Sequence, residues 1–341
     1  MNPSATPTLL PANQPRQFYR GGEAIAALRG VPRTSEFGPE DWVASTTTRF
    51  GQATDGLTTL PDGRLLRDAV AAEPAAWLGE RHVAAFGTST ALLVKLLDAG
   101  QRLPVHCHPS NTFAREHFGS HFGKTEAWVV VGTGSGDPRV HIGFREPVDR
   151  YTLADWVRDQ NHDALLGALN STTVAAGDTV FIPAGLPHAI GAGVFIVELQ
   201  QPTDLSVTLE WEGFLADESA GHLGVGFDVA LGCVDRDGWG DGTWESLVRR
   251  TGGRDDAVVD LFGPASSAFF RADRIHATQP VDLTASFAVL VVLDGAGTLR
   301  TEHGGSLELC KGQTVVVPHA SGDSTVDGSL TLVRCRPPEP A

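Results

Sequence analysis

The chain has 341 residues, 41 % of them hydrophobic and 20 % charged, which at roughly 150 residues per domain suits about two globular domains. Its 26 Lys and Arg stand against 41 Asp and Glu, a formal net charge of -15. That balance excludes a phosphate-tracking nucleic-acid surface and a basic membrane patch, and leaves room for a small anion held by a few local cations. With 39 Gly, 21 Pro and 1 Met, the composition favours turns and short strands over a helical bundle.

Residues 1–20 are rich in Pro, Asn and Thr and read as extended. They show no charged segment followed by an apolar one, as a secretory leader would, and no apolar run reaches the roughly 18–20 residues of a membrane span. Arg67 to Leu78 (RDAVAAEPAAWL) reads as a helix that Pro74 breaks or restarts. From Ala91 the pattern becomes strand-like: ALLVKLLDA, then Ala127–Val131 and Val140–Phe144. Asp155 to Leu169 reads as a helical insertion with one apolar side. Asp178–Pro183 and Val194–Gln200 are again strands. Residues 212–265 are Gly- and Asp-rich, with a helix expected around Trp244–Arg250, and read as a connection. Phe287–Leu293, Gly297–Arg300, Gly312–Pro318 and Leu330–Arg334 follow as short, regularly spaced strands of a sandwich or barrel.

A weak internal repeat links the two halves. Gly177-Asp-Thr-Val-Phe-Ile-Pro183 has the form of Gly312-Gln-Thr-Val-Val-Val-Pro318, and a strand with a Gly-rich turn precedes each. Duplication of one supersecondary unit accounts for this simply. The cysteines Cys107, Cys233, Cys310 and Cys335 form no CxxC pair, so a reduced, cytoplasmic protein is the reading.

Three segments carry the chemistry: Val105-His106-Cys107-His108-Pro109, Gly123-Lys124-Thr125-Glu126-Ala127-Trp128, and Pro183-Ala-Gly185-Leu-Pro-His188. On a strand, His106 and His108 share a face, while Cys107 points to the other side and belongs to the core. Glu126 opens the next strand, and His188 follows a turn at the end of another. A lone HxH is ordinary, and His117 and His121 read as surface residues. The full set of three imidazoles and one carboxylate suits Zn, with Fe, Mn or Ni as alternatives, and leaves a coordination position open.

This order of HxH, acid, Gly and distant His resembles the bipartite motif of the cupin superfamily. The repeat at Gly312–Pro318 lacks the pattern: no HxH precedes it, and Asp323 stands where His188 would be. It resembles a degenerate cupin. Across nearly the whole chain the sequence resembles the type I phosphomannose isomerase (mannose-6-phosphate isomerase) family. Glu40-Asp-Trp-Val-Ala-Ser45 is similar to the family's GESWEIS-like strand, and Leu92-Leu-Val-Lys95-Leu-Leu-Asp98 to its LLKLLDA segment. GKTEAW at 123–128 is similar to GKTECW, Phe181–Gly191 to PAGTLHAIG, and Glu198–Asp204 to ExQQNSD. The C-terminal FAVLVVLDG…KGQTVVVP follows the family's last domain.

The resemblance implies a mainly β fold of two cupin-type jelly rolls, the second degenerate. Its units are residues 1–211 with a metal-binding cupin and a helical insertion at about 151–170, a connector over 212–265, and a C-terminal cupin over 266–341. It implies a metal held by His106, His108, Glu126 and His188, where His106 replaces the family's Gln. Two further departures concern an anionic substrate: Thr208 stands at the family's catalytic-site Arg and Pro104 at its Ser. Lys95 and Lys124 match family lysines. The implied activity is a zinc-dependent aldose–ketose isomerisation of mannose 6-phosphate to fructose 6-phosphate through an enediol. Glu198 is the first candidate for the base, with Lys124 and Lys95 beside it. The alternatives are an isomerase of a free or differently substituted sugar, a non-catalytic sugar-binding cupin, and an Fe-dependent cupin oxygenase. The partner is a small sugar or sugar phosphate, with no nucleic acid and no membrane.

Overall fold

The computed structural model describes residues 3–240, 242–251 and 256–340. Among these residues the strands form three sheets. A six-stranded antiparallel sheet runs in the order Val248–Arg249, Thr179–Ile182, Glu126–Thr133, Val194–Gln200, Leu93–Asp98, Glu40–Val43. A five-stranded sheet runs Val207–Thr208, His106–Cys107, His188–Ile190, Arg139–Phe144, Leu169–Thr173. The two share a core in which Leu97, Trp128, Val130 and Ile196 meet Val140, Ile142 and Ile190. This is a sheet-on-sheet sandwich, and the candidate ligands sit at one end of its interior.

The third sheet has eight strands and carries an apolar cluster that includes Ile275, Leu290, Val292, Leu299, Val315 and Leu332. The outer face of the six-stranded sheet (Val94, Leu96, Val129, Val197, Leu199) packs on it through Phe270, Phe287, Val289, Val291 and Val333. Those strands are therefore buried on both faces, which explains their continuous apolar runs.

Several expectations need adjustment. The segment 1–20, described from Pro3 on, contains a strand, Thr8–Leu9, that pairs with Val315 and Val316 of the third sheet. The helical insertion is two helices, Arg150–Arg158 and His162–Gly167. Gln160 separates them in the left-handed region at φ 46 and spends its side-chain amide on the carbonyls of Val157 and Leu209. Asp149 and Asn161 cap the two starts, and Leu169 already begins a strand. The helix expected around Trp244–Arg250 is a short 3-10 turn, Trp244–Leu247, followed by a strand that completes the six-stranded sheet. Phe287–Leu293 and Gly297–Arg300 are parts of one strand, Ala288–Thr301. The Gly-rich stretch read as a turn is a bulge between Val292 and Asp294, with Gly295 at φ 78. The last strand spans Ser324–Arg336, longer than Leu330–Arg334. The two repeats do start alike: Gly177 and Gly312 both hold positive φ, 91 and 84, ahead of the strands Thr179–Ile182 and Thr314–Val317.

Candidate metal centre and active-site cavity

Adjacent strands bring the histidines together. His106 pairs in register with His188 on one side and with Thr208 on the other. The ring centroids of His106, His108 and His188 lie 4.2 to 5.1 Å apart, and their ligand atoms lie within 4.8 Å of one another. His188 follows the turn after Thr179–Ile182, as expected, and opens the next strand, His188–Ile190. The turn before it places Gly185 at φ 90, where a Cβ would press on the Cys233 carbonyl.

Each histidine commits Nδ1 to a main-chain carbonyl: His106 to Pro104 at 2.8 Å, His108 to Leu205 at 3.0 Å, His188 to Leu186 at 2.8 Å. Such bonds fix the tautomer and aim Nε2 inward. Burial first, then the neighbouring His188 and His108 rings, hold the pKa of His106 well below the ordinary histidine value. Burial and the Lys124 ammonium push His108 down to about 3. Both rings are therefore neutral and carry a free lone pair.

Glu126 faces them from the six-stranded sheet. Its Oε2 is 3.1 Å from His108 Nε2 and its Oε1 3.3 Å from His188 Nε2. Trp128, two residues on and so on the same face, donates Nε1–H to Oε1 at 2.9 Å. Burial alone would raise the Glu126 pKa, but Lys124 and His108 outweigh it and hold the carboxyl well below its usual range. The fit to a cation shows in what is left over: His108 Nε2, His188 Nε2 and Glu126 Oε2 are buried with no hydrogen-bond partner. Imidazole nitrogens and a carboxylate oxygen, gathered together and unsatisfied, are a donor set for a divalent ion.

A row of side chains crosses the same sheet inward. Register aligns Trp42, Lys95, Glu198 and Trp128 on four neighbouring strands. Lys95 Nζ lies 3.3 Å from Glu40 Oε2 and 3.6 Å from Glu198 Oε1, and 4.8 Å above the Trp42 ring. Burial opposes its charge, yet Glu198 and Glu40 raise the Lys95 pKa above the ordinary value. Lys124 Nζ is 3.1 Å from Glu126 Oε2 and 3.9 Å from Glu198 Oε1. Burial raises Glu198 to about 7 against the pull of Lys95 and Lys124, and its Oε1 has no hydrogen-bond partner.

Glu40, Tyr19 and Gln17 are site residues for which sequence reasoning assigned no role. The Glu40 carboxylate accepts from Tyr19 Oη at 2.5 Å, Trp42 Nε1 at 2.6 Å and Gln17 Nε2 at 2.9 Å. Burial works against its charge, but Lys95, Tyr19 and Trp42 lower its pKa overall. The one legible signal is an acid two residues before a Trp on an apolar strand. Nothing in the order of residues 14–20 foretells that Gln17 and Tyr19 reach it.

A cavity of about 200 Å³ joins these groups. His106, Lys95, Lys124, Glu126 and Glu198 line it, and so do Pro104 and Thr208. His108 and His188 lie behind its wall. Leu215, Ala220 and Leu223 bring the 212–265 connector to its edge. Arg49 also lines it, 31 % exposed and held by Asp55 at 2.9 Å. His117 lies on the helix Asn111–Phe118 away from the cluster, and His121 is exposed. Cys107 faces the opposite core. No helix among the described residues is long and apolar enough to cross a membrane.

Two jelly rolls, one with a histidine-lined polar interior and one packed solid, define a protein of the cupin superfamily. A sequence profile for the cupin domain of mannose-6-phosphate isomerase matches residues 267–337. The chain is 29 % identical over 264 residues to mannose-6-phosphate isomerase of Streptococcus mutans, spanning 74 % of this chain and 77 % of that one. It is 32 % identical over 135 residues to mannose-6-phosphate isomerase ManA of Bacillus subtilis, spanning 39 % and 41 %. In fold it is similar to mannose 6-phosphate isomerase from Bacillus subtilis, with TM-score 0.71, 20 % identity, and 97 % and 99 % of the two chains covered. It is also similar to a phosphomannose isomerase variant from Salmonella typhimurium, with TM-score 0.73, 16 % identity, and 98 % and 100 % covered. Residues 267–337 thus match a mannose-6-phosphate isomerase cupin domain, and 74 % of the chain is similar to a mannose-6-phosphate isomerase.

Proposed function

We propose that the protein interconverts an aldose and a ketose by moving a proton between C1 and C2, with mannose 6-phosphate and fructose 6-phosphate as the substrate pair. The observation that carries this reading is the unpartnered Glu198 Oε1, which shares one cavity with Lys124 and with the edge of the histidine cluster. His106, His108, His188 and Glu126 would hold a divalent ion, zinc in the first instance, which when bound supplies Lewis-acid stabilisation of charge on the substrate oxygens.

Glu198 is the base. Its pKa near 7 lets the carboxylate take a carbon-bound proton and return it to the neighbouring carbon at physiological pH. Lys95, held as ammonium between Glu40 and Glu198, fixes the position of that carboxylate. Lys124 sets a positive charge beside the developing enediolate, whose negative charge it stabilises. Arg49 at the cavity edge is the cation available to a phosphate in place of the Arg and Ser that Thr208 and Pro104 replace.

A second reading, an unphosphorylated aldose, is favoured by Pro104 and Thr208 on the cavity wall, since neither carries a charge for an anion. Incubating zinc-loaded protein in D2O with mannose 6-phosphate, fructose 6-phosphate and the free sugars tests both. Deuterium entering C1 and C2 of the phosphates, read by NMR, is the expected result. Exchange confined to the free sugars supports the second reading, and no exchange with any of them contradicts the isomerase assignment.

A further inference from the structure

Cys107 sits between two of the clustered histidines, and its side chain leaves the back of that strand. It enters an apolar core with Val105, Phe144, Leu153 and Val207. There its Sγ lies 3.5 Å from Sγ of Cys233. Neither thiol has a part in the reaction proposed above. Cys233 ends the short turn Leu231–Cys233 and is half-buried, whereas Cys107 is fully buried behind it. A small oxidant therefore meets Cys233 first. A disulfide spans about 2.05 Å, so the two sulfurs must close by about 1.5 Å to form one.

The Cys233 turn also touches the other side of the histidine cluster. Asp235 N–H donates to the Gly185 carbonyl at 2.8 Å, and Gly185 N–H donates to the His108 carbonyl at 2.7 Å. The segment His106–His108, the turn leading to His188 and the stretch that follows the Cys233 turn are thus directly bonded neighbours.

We propose that Cys107 and Cys233 form a redox modification site, oxidised by hydrogen peroxide to a disulfide that loosens the histidine cluster. In the first step the Cys233 sulfur attacks one peroxide oxygen and the O–O bond breaks. Cys233 becomes a sulfenic acid, and its thiol proton leaves with the second oxygen as water. In the second step the Cys107 sulfur attacks the Cys233 sulfur and the S–O bond breaks. The hydroxyl departs with the Cys107 proton as a second water. Two thiols and one peroxide give one disulfide and two waters. Metal–ligand distances hold to about 0.2 Å, several times less than the closure the sulfurs require. Part of that closure falls on the backbone between His106 and His108 and weakens its hold on an ion. This consequence rests on the proposed metal site, whereas the disulfide does not.

The test uses the full zinc-loaded chain, titrated with hydrogen peroxide, alkylated and mapped by mass spectrometry without reduction. A chromogenic chelator reports zinc release in parallel. The expected result is a Cys107–Cys233 linked peptide, two hydrogens lighter and reversed by dithiothreitol, with zinc leaving about tenfold faster. Cys233→Ser removes both effects, while Cys310→Ser, which alters the exposed cysteine, removes neither. Recovery of Cys107 as a free thiol beside an intact or over-oxidised Cys233 overturns the proposal. A linked peptide with unchanged zinc release overturns the coupling to the cluster. Failure of the reduced protein to take up zinc would sink the metal reading, and the linked peptide would still decide the disulfide.

Discussion

The two jelly rolls of this chain start their shared motif in the same way and end with different interiors. Gly177 and Gly312 make the same left-handed turn into a short strand. In the first unit the sheets part around Lys95, Lys124, Glu126, Glu198 and three histidines. In the second, Leu290, Val292, Leu299, Val315 and Leu332 fill the equivalent space, and Asp323 accepts a bond from Ala285 N–H at the surface. The difference shows what a polar interior requires. The buried Glu40, Lys95, Lys124, Glu126 and Glu198 each have an opposite partner within about 4 Å, because an unpaired one costs several kcal/mol. Three of the buried atoms left without a hydrogen bond, His108 Nε2, His188 Nε2 and Glu126 Oε2, lie together where a cation would sit.

The comparison can be broken most severely at the ligands. His108→Ala should abolish metal retention and lower turnover about 10³-fold or more, since the lost charge stabilisation is worth several kcal/mol. Asp323→Ala, the matching change in the second unit, should leave both untouched. Metal analysis and initial rates on the two variants measure this. Next comes Glu198→Gln, which should cut kcat by about 10²–10⁴ while the metal stays bound. With Glu198 as the proposed base, its carboxylate is the active form. kcat/KM should therefore level off above the Glu198 pKa of about 7 and fall about tenfold per pH unit below it. A flat profile from pH 5 to 8 would remove Glu198 from the role.

Stability should separate the two interiors as well. Lys95→Met leaves the buried Glu40 without its ion-pair partner and Glu198 with Lys124 alone, and should cost about 3–5 kcal/mol in denaturant unfolding. Leu290→Ala in the second unit should cost about 2–5 kcal/mol as a cavity and leave metal retention unchanged. The smallest effect belongs to Tyr19→Phe. It removes one bond to a charged carboxylate, worth about 1.5–3 kcal/mol. If Tyr19 positions Lys95 through Glu40, kcat should drop with little change in KM. Equal changes in both would make Tyr19 a purely structural residue.

The first unit was more legible in sequence than the second. Strand alternation is strict where one face must be polar, so HxH and TEAW reveal which side chains face inward. The second unit is apolar on long runs, and there the reading split Ala288–Thr301 into two strands at a bulge that sequence cannot tell from a turn. The helical insertion was visible, but its break was not, because Gln160 offers no turn signal and is held at φ 46 by side-chain bonds to Val157 and Leu209. The donors around Glu40 were the hardest to see. Gln17 and Tyr19 reach it from a segment of no periodicity, across more than twenty residues of chain. Arg49 carried no signal at all, since an arginine in a polar stretch reads as surface.

The proposed reaction requires that the polar interior of the first jelly roll hold a metal ion. The most direct measurement is metal content of the purified, zinc-loaded and dialysed protein, combined with X-ray absorption at the zinc edge. One zinc per chain with nitrogen and oxygen neighbours at about 2.0–2.1 Å, and no sulfur, is the predicted result. A chain that retains no metal, or one whose zinc is bound through cysteine sulfur, would contradict it.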